Sequence, residues 1–239
     1  KDFTTPLRVE NPVPRLNQKG VLERDMMKKE GYYVFQSYWS HVPMVHIYGH
    51  SWPIRWGDEG ELKMVKVYSN CDRAELFING KSAGIKHRNS QDFPAAGLRW
   101  TLPFLRGNNN IKVVATAGTT IVKDEIDFVY QTDKWGVPAK LTLSETARSM
   151  TDDKEIITVE GRLYDANGIL CLNSRNLVHF TLAGDGTLID NRGTSRGSRT
   201  VQMYNGRAEI SVSGAGNTVV GLSAEGIEPA FYMAAPVKK

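Results

Sequence analysis

A chain of 239 residues with 41% apolar, 9% aromatic and 23% charged side chains has enough material for one or two packed domains and reads as an ordinary globular protein. Its net charge of +4 and pI near 9.0 come from Lys and Arg scattered among Asp and Glu, not from a clustered basic face, which argues against nucleic acid as a partner. No apolar run approaches the ~20 residues of a membrane span. The chain opens on Lys1 rather than Met and lacks a signal-peptide pattern, as expected of a piece cut or processed from a longer protein.

Residues 1–20 read as irregular, punctuated by Pro6, Pro12 and Pro14, each of which pushes its preceding residue away from helix. From Leu22 to Trp39 the period is helical. Tyr32, Phe35 and Trp39 fall on one face at i, i+3, i+7 and expect a partner surface. Pro43 ends that pattern, and a period of two takes over. Trp52-Pro53-Ile54-Arg55-Trp56 reads as a stiff loop. A strand follows from Leu62. Ala74–Ile78 and Ser82–Ile85 flank Asn79-Gly80, the clearest hairpin, since Asn-Gly suits a type I′ turn. Further strands are expected at Leu98–Phe104, Ile111–Ala117 and Ile121–Tyr130, with turns at Gly107–Asn110 and Gly118-Thr119. Short strands with a turn signal about every ten residues point to a β-sandwich.

Residues 131–138 read as a linker. A second strand series then covers Lys140–Ser144, Ile156–Tyr164, Val178–Ala183, Thr187–Ile189, Arg207–Val212, Asn217–Ala224 and Ala230–Ala234, with turns at Asp165–Gly168 and Tyr204–Gly206. Seven short strands in about a hundred residues is the rhythm of an immunoglobulin-like sandwich, here without the Cys-Trp-Cys pattern of antibody domains. The fold class predicted is therefore all-β: two tandem immunoglobulin-like sandwiches, 42–132 and 138–236, preceded by a short irregular and helical segment, 1–41.

Few residues carry chemistry. Cys71 and Cys171 are read as free buried thiols, since neither has a C-x-x-C partner. His41, His46 and His50 crowd together, but in a strand residues i and i+4 lie roughly 13 Å apart, too far to share a metal ion, so they are read as structural. Trp52, Trp56 and Trp100, with Arg55, could stack on a sugar or fill a domain seam, and the seam is favoured. Asp165, Asn167, Asp185 and Asp190 resemble fragments of a calcium loop, but Asn176 stands where the closing Glu is needed. Gly184, Gly186 and Gly193 open no helix and offer no phosphate cradle. No cofactor, metal or catalytic residue is expected.

The stretch NQKGVLERDMMKKEGYYVFQSYW resembles the end of the catalytic barrel of family 2 glycoside hydrolases of the β-galactosidase type, through Asp25, Lys29, Tyr32, Tyr33, Gln36, Ser37 and Trp39. PMVHIYGHSW and VKVYSNCDRAELFINGKSAG resemble the accessory β-domain that follows the barrel. VEGRLYDANGILCLNSRNLVHFTLAGDGTLIDNRG and YNGRAEISV resemble the C-terminal immunoglobulin-like domain. The resemblance covers most of the chain in the family's order. It implies that 1–41 is the end of a barrel whose surface packs on Tyr32, Phe35 and Trp39, and that the two sandwiches are accessory.

The family's retaining mechanism uses two Glu residues on barrel strands before that last helix, the acid/base one following an Asn. This chain has no Asn-Glu dipeptide, so no catalysis is expected of it alone. The expected partner is the barrel, with a carbohydrate and a second copy of the chain left open. A bacterial periplasmic or extracellular location is expected by family analogy. Two rival readings are an independent carbohydrate-binding module, which needs Trp52 and Trp56 exposed and coplanar, and a surface spacer or adhesion protein, which has no need of an aromatic helix.

Overall fold

The computed structural model describes residues 1–4, 16–23, 26–89, 91, 97–151, 154–188, 199–213 and 217–234. Pro6, Pro12, Pro14, Asp25, Ile189, Asp190 and Gly193 lie outside them. The chain forms two compact units, Lys19–Asp133 with Lys1, and Lys134–Lys239 with Asp2–Gln18. The greater part of the described residues is strand. The first strands, β1 (Phe3–Thr4) and β2 (Leu16–Asn17), pair antiparallel and group with the second unit.

The first unit starts with helix α1, Glu30–Trp39. It is shorter than the Leu22–Trp39 periodicity suggested. Leu22 bridges Lys28, Met26 adopts φ 73°, and Lys29 N–H donates to Val21 O, so the chain before Glu30 folds back on itself. After α1 come β3 (Val45–Ile47), β4 (Ile54–Trp56), β5 (Leu62–Ser69), β6 (Arg73–Ile78), β7 (Lys81–His87), β8 (Leu98–Pro103), β9 (Gly107–Ala117) and β10 (Thr120–Gln131). They form a five-stranded sheet, β4-β10-β9-β6-β7, and a three-stranded sheet, β3-β5-β8.

Side-chain alternation explains the packing. Along β8, Leu98, Trp100 and Leu102 point inward and Arg99, Thr101 and Pro103 outward. They meet Val65 and Val67 of β5, Leu76 of β6, Ile111 and Val113 of β9, and Ile126, Phe128 and Tyr130 of β10 in one core. The β6–β7 hairpin turns through Asn79 and Gly80, both at positive φ, 49° and 78°, as a type I′ turn requires.

Two further expectations are corrected. Ile54–Trp56 is not loop but a short strand, β4, paired parallel with Val129–Gln131. Gly107–Asn110 is not a turn but the start of β9, where Asn109 accepts from Leu105 N–H and donates back to Leu105 O, its side chain doing the work of a turn.

The second unit adds β11 (Pro138–Thr151), β12 (Lys154–Asp165), β13 (Leu177–Gly184), β14 (Thr187–Leu188), β15 (Thr200–Gln202), β16 (Arg207–Ser213), β17 (Thr218–Ala224) and β18 (Ile227–Ala234). Its sheets are β11-β12-β16-β14 and β15-β13-β17-β18. Ile157, Val159, Leu163, Phe180, Val220 and Leu222 are at most 1% exposed in the core between them. Gly161 lies where β12 meets β17: a Cβ there would stand 2.1 Å from Leu222 Cδ2, so any larger residue would force the Leu222 side chain to shift. Asn205 and Gly206, at φ 52° and 69°, turn the chain into β16. The thiols of Cys71 and Cys171 are free and buried, one in each unit.

Candidate functional site

In the first unit, α1 has two unlike sides. Its inner side is tied down by polar contacts. Glu30 in the first turn accepts from Gly49 N–H at 2.7 Å and meets His46 Nε2 at 3.1 Å. The Tyr33 ring stacks on His46, centroids 3.4 Å apart. At the other end Arg88 donates to Ser37 O at 3.0 Å, supplying a cation to the helix C-terminus. The outgoing chain is held by Asn70, which accepts from Met44 N–H and donates to Ser40 O and Val42 O.

The outer side is aromatic and open. Phe35 and Trp39 stack at 4.7 Å between centroids, and Phe35, Tyr38 and Trp39 are 43%, 41% and 74% exposed. Tyr32 is half-buried under the Lys28 ammonium, 4.8 Å from its ring. Of the predicted face, Phe35 and Trp39 thus form one exposed patch and Tyr32 borders it.

Below α1 lies a cluster that the strand-distance argument excluded. β3 ends at Ile47, and Tyr48–His50 is a turn rather than continued strand. His50 therefore folds back, and the rings of His46 and His50 stack at 4.7 Å between centroids instead of lying a strand's length apart. Gly49 makes this turn possible. Its φ is +96°, and a Cβ would crowd Trp52 and Arg55 at 3.0 Å. Asp124 of β10 completes the group. Its Oδ2 accepts from Ile47 N–H at 2.6 Å and sits 2.8 Å from His50 Nε2 and 3.9 Å from His46 Nδ1.

Electrostatics follow from these contacts. The Asp124 hydrogen bond raises the His50 pKa against the opposing effect of burial. Burial alone would push both carboxyls up. The contacts of Glu30 with His46 and Gly49, and of Asp124 with His50 and Ile47, outweigh it and hold both below the usual carboxylate range. Asp124 lies far along the chain from the histidines, so no local spacing could have revealed it. Glu30 and Tyr33 were legible only as helix residues.

The four residues read as sugar or seam contacts separate. Trp100 is a core residue, 4% exposed, with its indole N–H donating to Gly84 O; it offers no face to any partner, because its position alternates inward on β8. Trp52 and Trp56 are half-buried, and Trp52 meets Tyr48 edge-on at 5.0 Å. Arg55 lies over the Phe128 ring at 4.4 Å and donates to Gly49 O. Burial pulls its pKa down to about 10.

Among the described residues acidic side chains come together at more than one place: Glu125 and Asp127 both accept from Asn110 Nδ2, and Glu145 and Glu155 both engage Arg148. In the second unit Glu160 and Glu209 are directly opposed across β12 and β16. Glu160 is held low by Arg162 and Arg207 against the effect of its burial, while burial and the neighbouring Glu160 push Glu209 up. The pair is on the outer face of its sheet, and both Glu160 oxygens are engaged, by Arg162 Nε at 2.5 Å and Arg207 Nη1 at 2.8 Å. A glycosidase pair instead brackets a sugar in a cleft. A shallow cleft in the first unit, about 530 Å³ beside Pro53 and Phe128, has one carboxylate among its lining residues, Asp127, bonded to Asn110. Asp165 organises a turn, accepting N–H bonds from Gly136, Asn167 and Ile169. Among the described residues no helix is long and apolar enough to cross a membrane.

The described residues thus define an all-β protein of two sandwich units, the first of which carries an anchored helix with an exposed aromatic side. Residues 60–123 match a domain of unknown function, DUF4982. The chain is 40% identical over 92% of its length to a protein of Formosa agariphila that carries a provisional β-glucuronidase name, and covers 26% of that protein. It is 31% identical over 72% of its length to β-galactosidase BoGH2A of Bacteroides ovatus, covering 19% of it. The crystal structure of a Parabacteroides merdae β-glucuronidase superposes with a TM-score of 0.88 and 52% identity, over 97% of this chain and 30% of that one. The chain thus spans between 15% and 26% of the length of the curated relatives it matches. Its homologues are family 2 glycoside hydrolases, and it corresponds to their C-terminal accessory β-sandwich region.

Proposed function

We propose that this chain performs no glycoside hydrolysis itself and braces the catalytic barrel of a family 2 β-glycosidase, using the outer face of α1 as its docking surface. The observation that carries this reading is the stacked, exposed Phe35–Trp39 pair on a helix whose other side is locked by Glu30, Tyr33 and Arg88. Large exposed aromatic patches mark sites of association. The half-buried Trp52 and Trp56 give little support to an independent sugar-binding module, and a spacer has no use for the helix.

For the parent enzyme a β-glucuronide is the favoured substrate over a β-galactoside, because relatives bearing β-glucuronidase names share 40% and 52% identity and the β-galactosidase shares 31%. A bacterial extracytoplasmic location is part of the same proposal and rests on family analogy alone.

The test uses nitrophenyl β-glucuronide and β-galactoside. This chain alone should turn over neither. The parent should hydrolyse the glucuronide faster, and Phe35→Ala/Trp39→Ala in the parent should lower its inactivation temperature while leaving KM unchanged. Turnover by this chain that disappears in Glu209→Gln would overturn the reading.

A further inference from the structure

We propose that His46, His50 and Asp124 form a binding site for one divalent transition-metal ion of the Zn²⁺ class, which clips the turn after β3 to β10. Two imidazoles and one carboxylate suit a borderline cation such as Zn²⁺, Co²⁺ or Ni²⁺ better than Ca²⁺ or Mg²⁺, which take oxygen ligands. One ligand atom from each residue already lies within 4.8 Å of the other two. A tetrahedral ion with bonds of about 2.0–2.1 Å would draw them to about 3.3 Å.

The surroundings are arranged as the outer shell of such a site requires. A metal-bound histidine usually gives its second ring nitrogen to a carboxylate, which fixes ring and tautomer. Glu30 does this at His46 Nε2, 3.1 Å away, and leaves Nδ1 facing Asp124. Ile47 N–H fixes the Asp124 carboxylate. His46 is further clamped by the Tyr33 ring. Entry is from the His50 side: the side chains of His46, Asp124 and His50 are 8%, 18% and 39% exposed. Its ring stands 16° from that of His46, and it is the ligand that must tilt on binding. The ion takes the position now bridged by the His50–Asp124 hydrogen bond.

The test is titration of this chain, freed of metal by chelation, with Co²⁺, followed by visible absorption. The expected result is one equivalent with intense d–d bands, displaced by Zn²⁺. His50→Ala and Asp124→Asn should abolish the bands, and Glu30→Gln should weaken binding about 10- to 100-fold. Bands missing from the wild type, or surviving in His50→Ala, would overturn the proposal. A second measurement needs no variant. In ¹⁵N-histidine spectra of the wild type, Zn²⁺ should move the ring signals of His46 and His50 and spare the other three of the five histidines, His41, His87 and His179. Unmoved His46 and His50 signals would equally sink it.

Discussion

Two tryptophans show how one residue type takes opposite roles. Trp100 alternates inward on β8 and is 4% exposed, whereas Trp39 is 74% exposed at the end of α1. Trp100→Ala should cost about 3–5 kcal/mol of unfolding free energy, the range for emptying a large aromatic site. Trp39→Ala should change it by no more than about 0.5 kcal/mol, as surface changes do. Urea unfolding of the two variants beside the wild type checks the contrast.

Asp165 gives a pH dependence with a definite sign. N–H groups of Gly136, Ile169 and Asn167 hold its carboxyl below the ordinary range. Its folded pKa is thus depressed relative to an unfolded value near ~3.9, so its contribution is present above that pH and is lost as pH falls through the folded value. Asp165→Asn should lower the urea midpoint at pH 7, and the gap from wild type should narrow as the pH falls below about 4. A gap that stays constant down to pH 2 would count against this assignment. At this scale the sequence showed that Asp165 starts a turn, but not that three amides converge on it, because Gly136 is distant in the chain.

Strands were readable wherever one face is buried and the other wet. β8 is buried and exposed at alternate positions throughout, and its bounds were found to within a residue. The Asn79-Gly80 and Asn205-Gly206 turns were equally legible, since few other pairs adopt two positive φ values. Legibility failed where backbone pairing is set from afar. β4 is a strand only because Val129–Gln131 runs parallel to it. The true length of β3 was hidden too, because Val-His-Ile-Tyr alternates past the residue at which the chain turns. That error put His46 and His50 apart, and with them the cluster on Asp124. Gly161 is a further feature that periodicity cannot show. Gly161→Ala should destabilise by about 1–3 kcal/mol through overpacking against Leu222. Combined with Leu222→Ala it should be less than additive, since the second change vacates the space the new methyl enters. Strict additivity in denaturant melts would contradict the contact.

For the whole molecule, each unit has its own closed core, and neither needs the other's residues to complete it. The exposed aromatics of α1, Phe35, Tyr38 and Trp39, belong to neither core. The all-β class and the family were both legible from the sequence, because sandwich rhythm and the barrel-end stretch recur in the family's order. The metal-ligand geometry was not, because it is made by a turn and a distant strand.

The most direct test is calorimetric titration of this chain with the separately produced catalytic barrel of its parent enzyme. A saturable one-to-one complex that Phe35→Ala/Trp39→Ala abolishes is the expected result. Undiminished binding by the double variant, or none by the wild type, would contradict the docking role of α1.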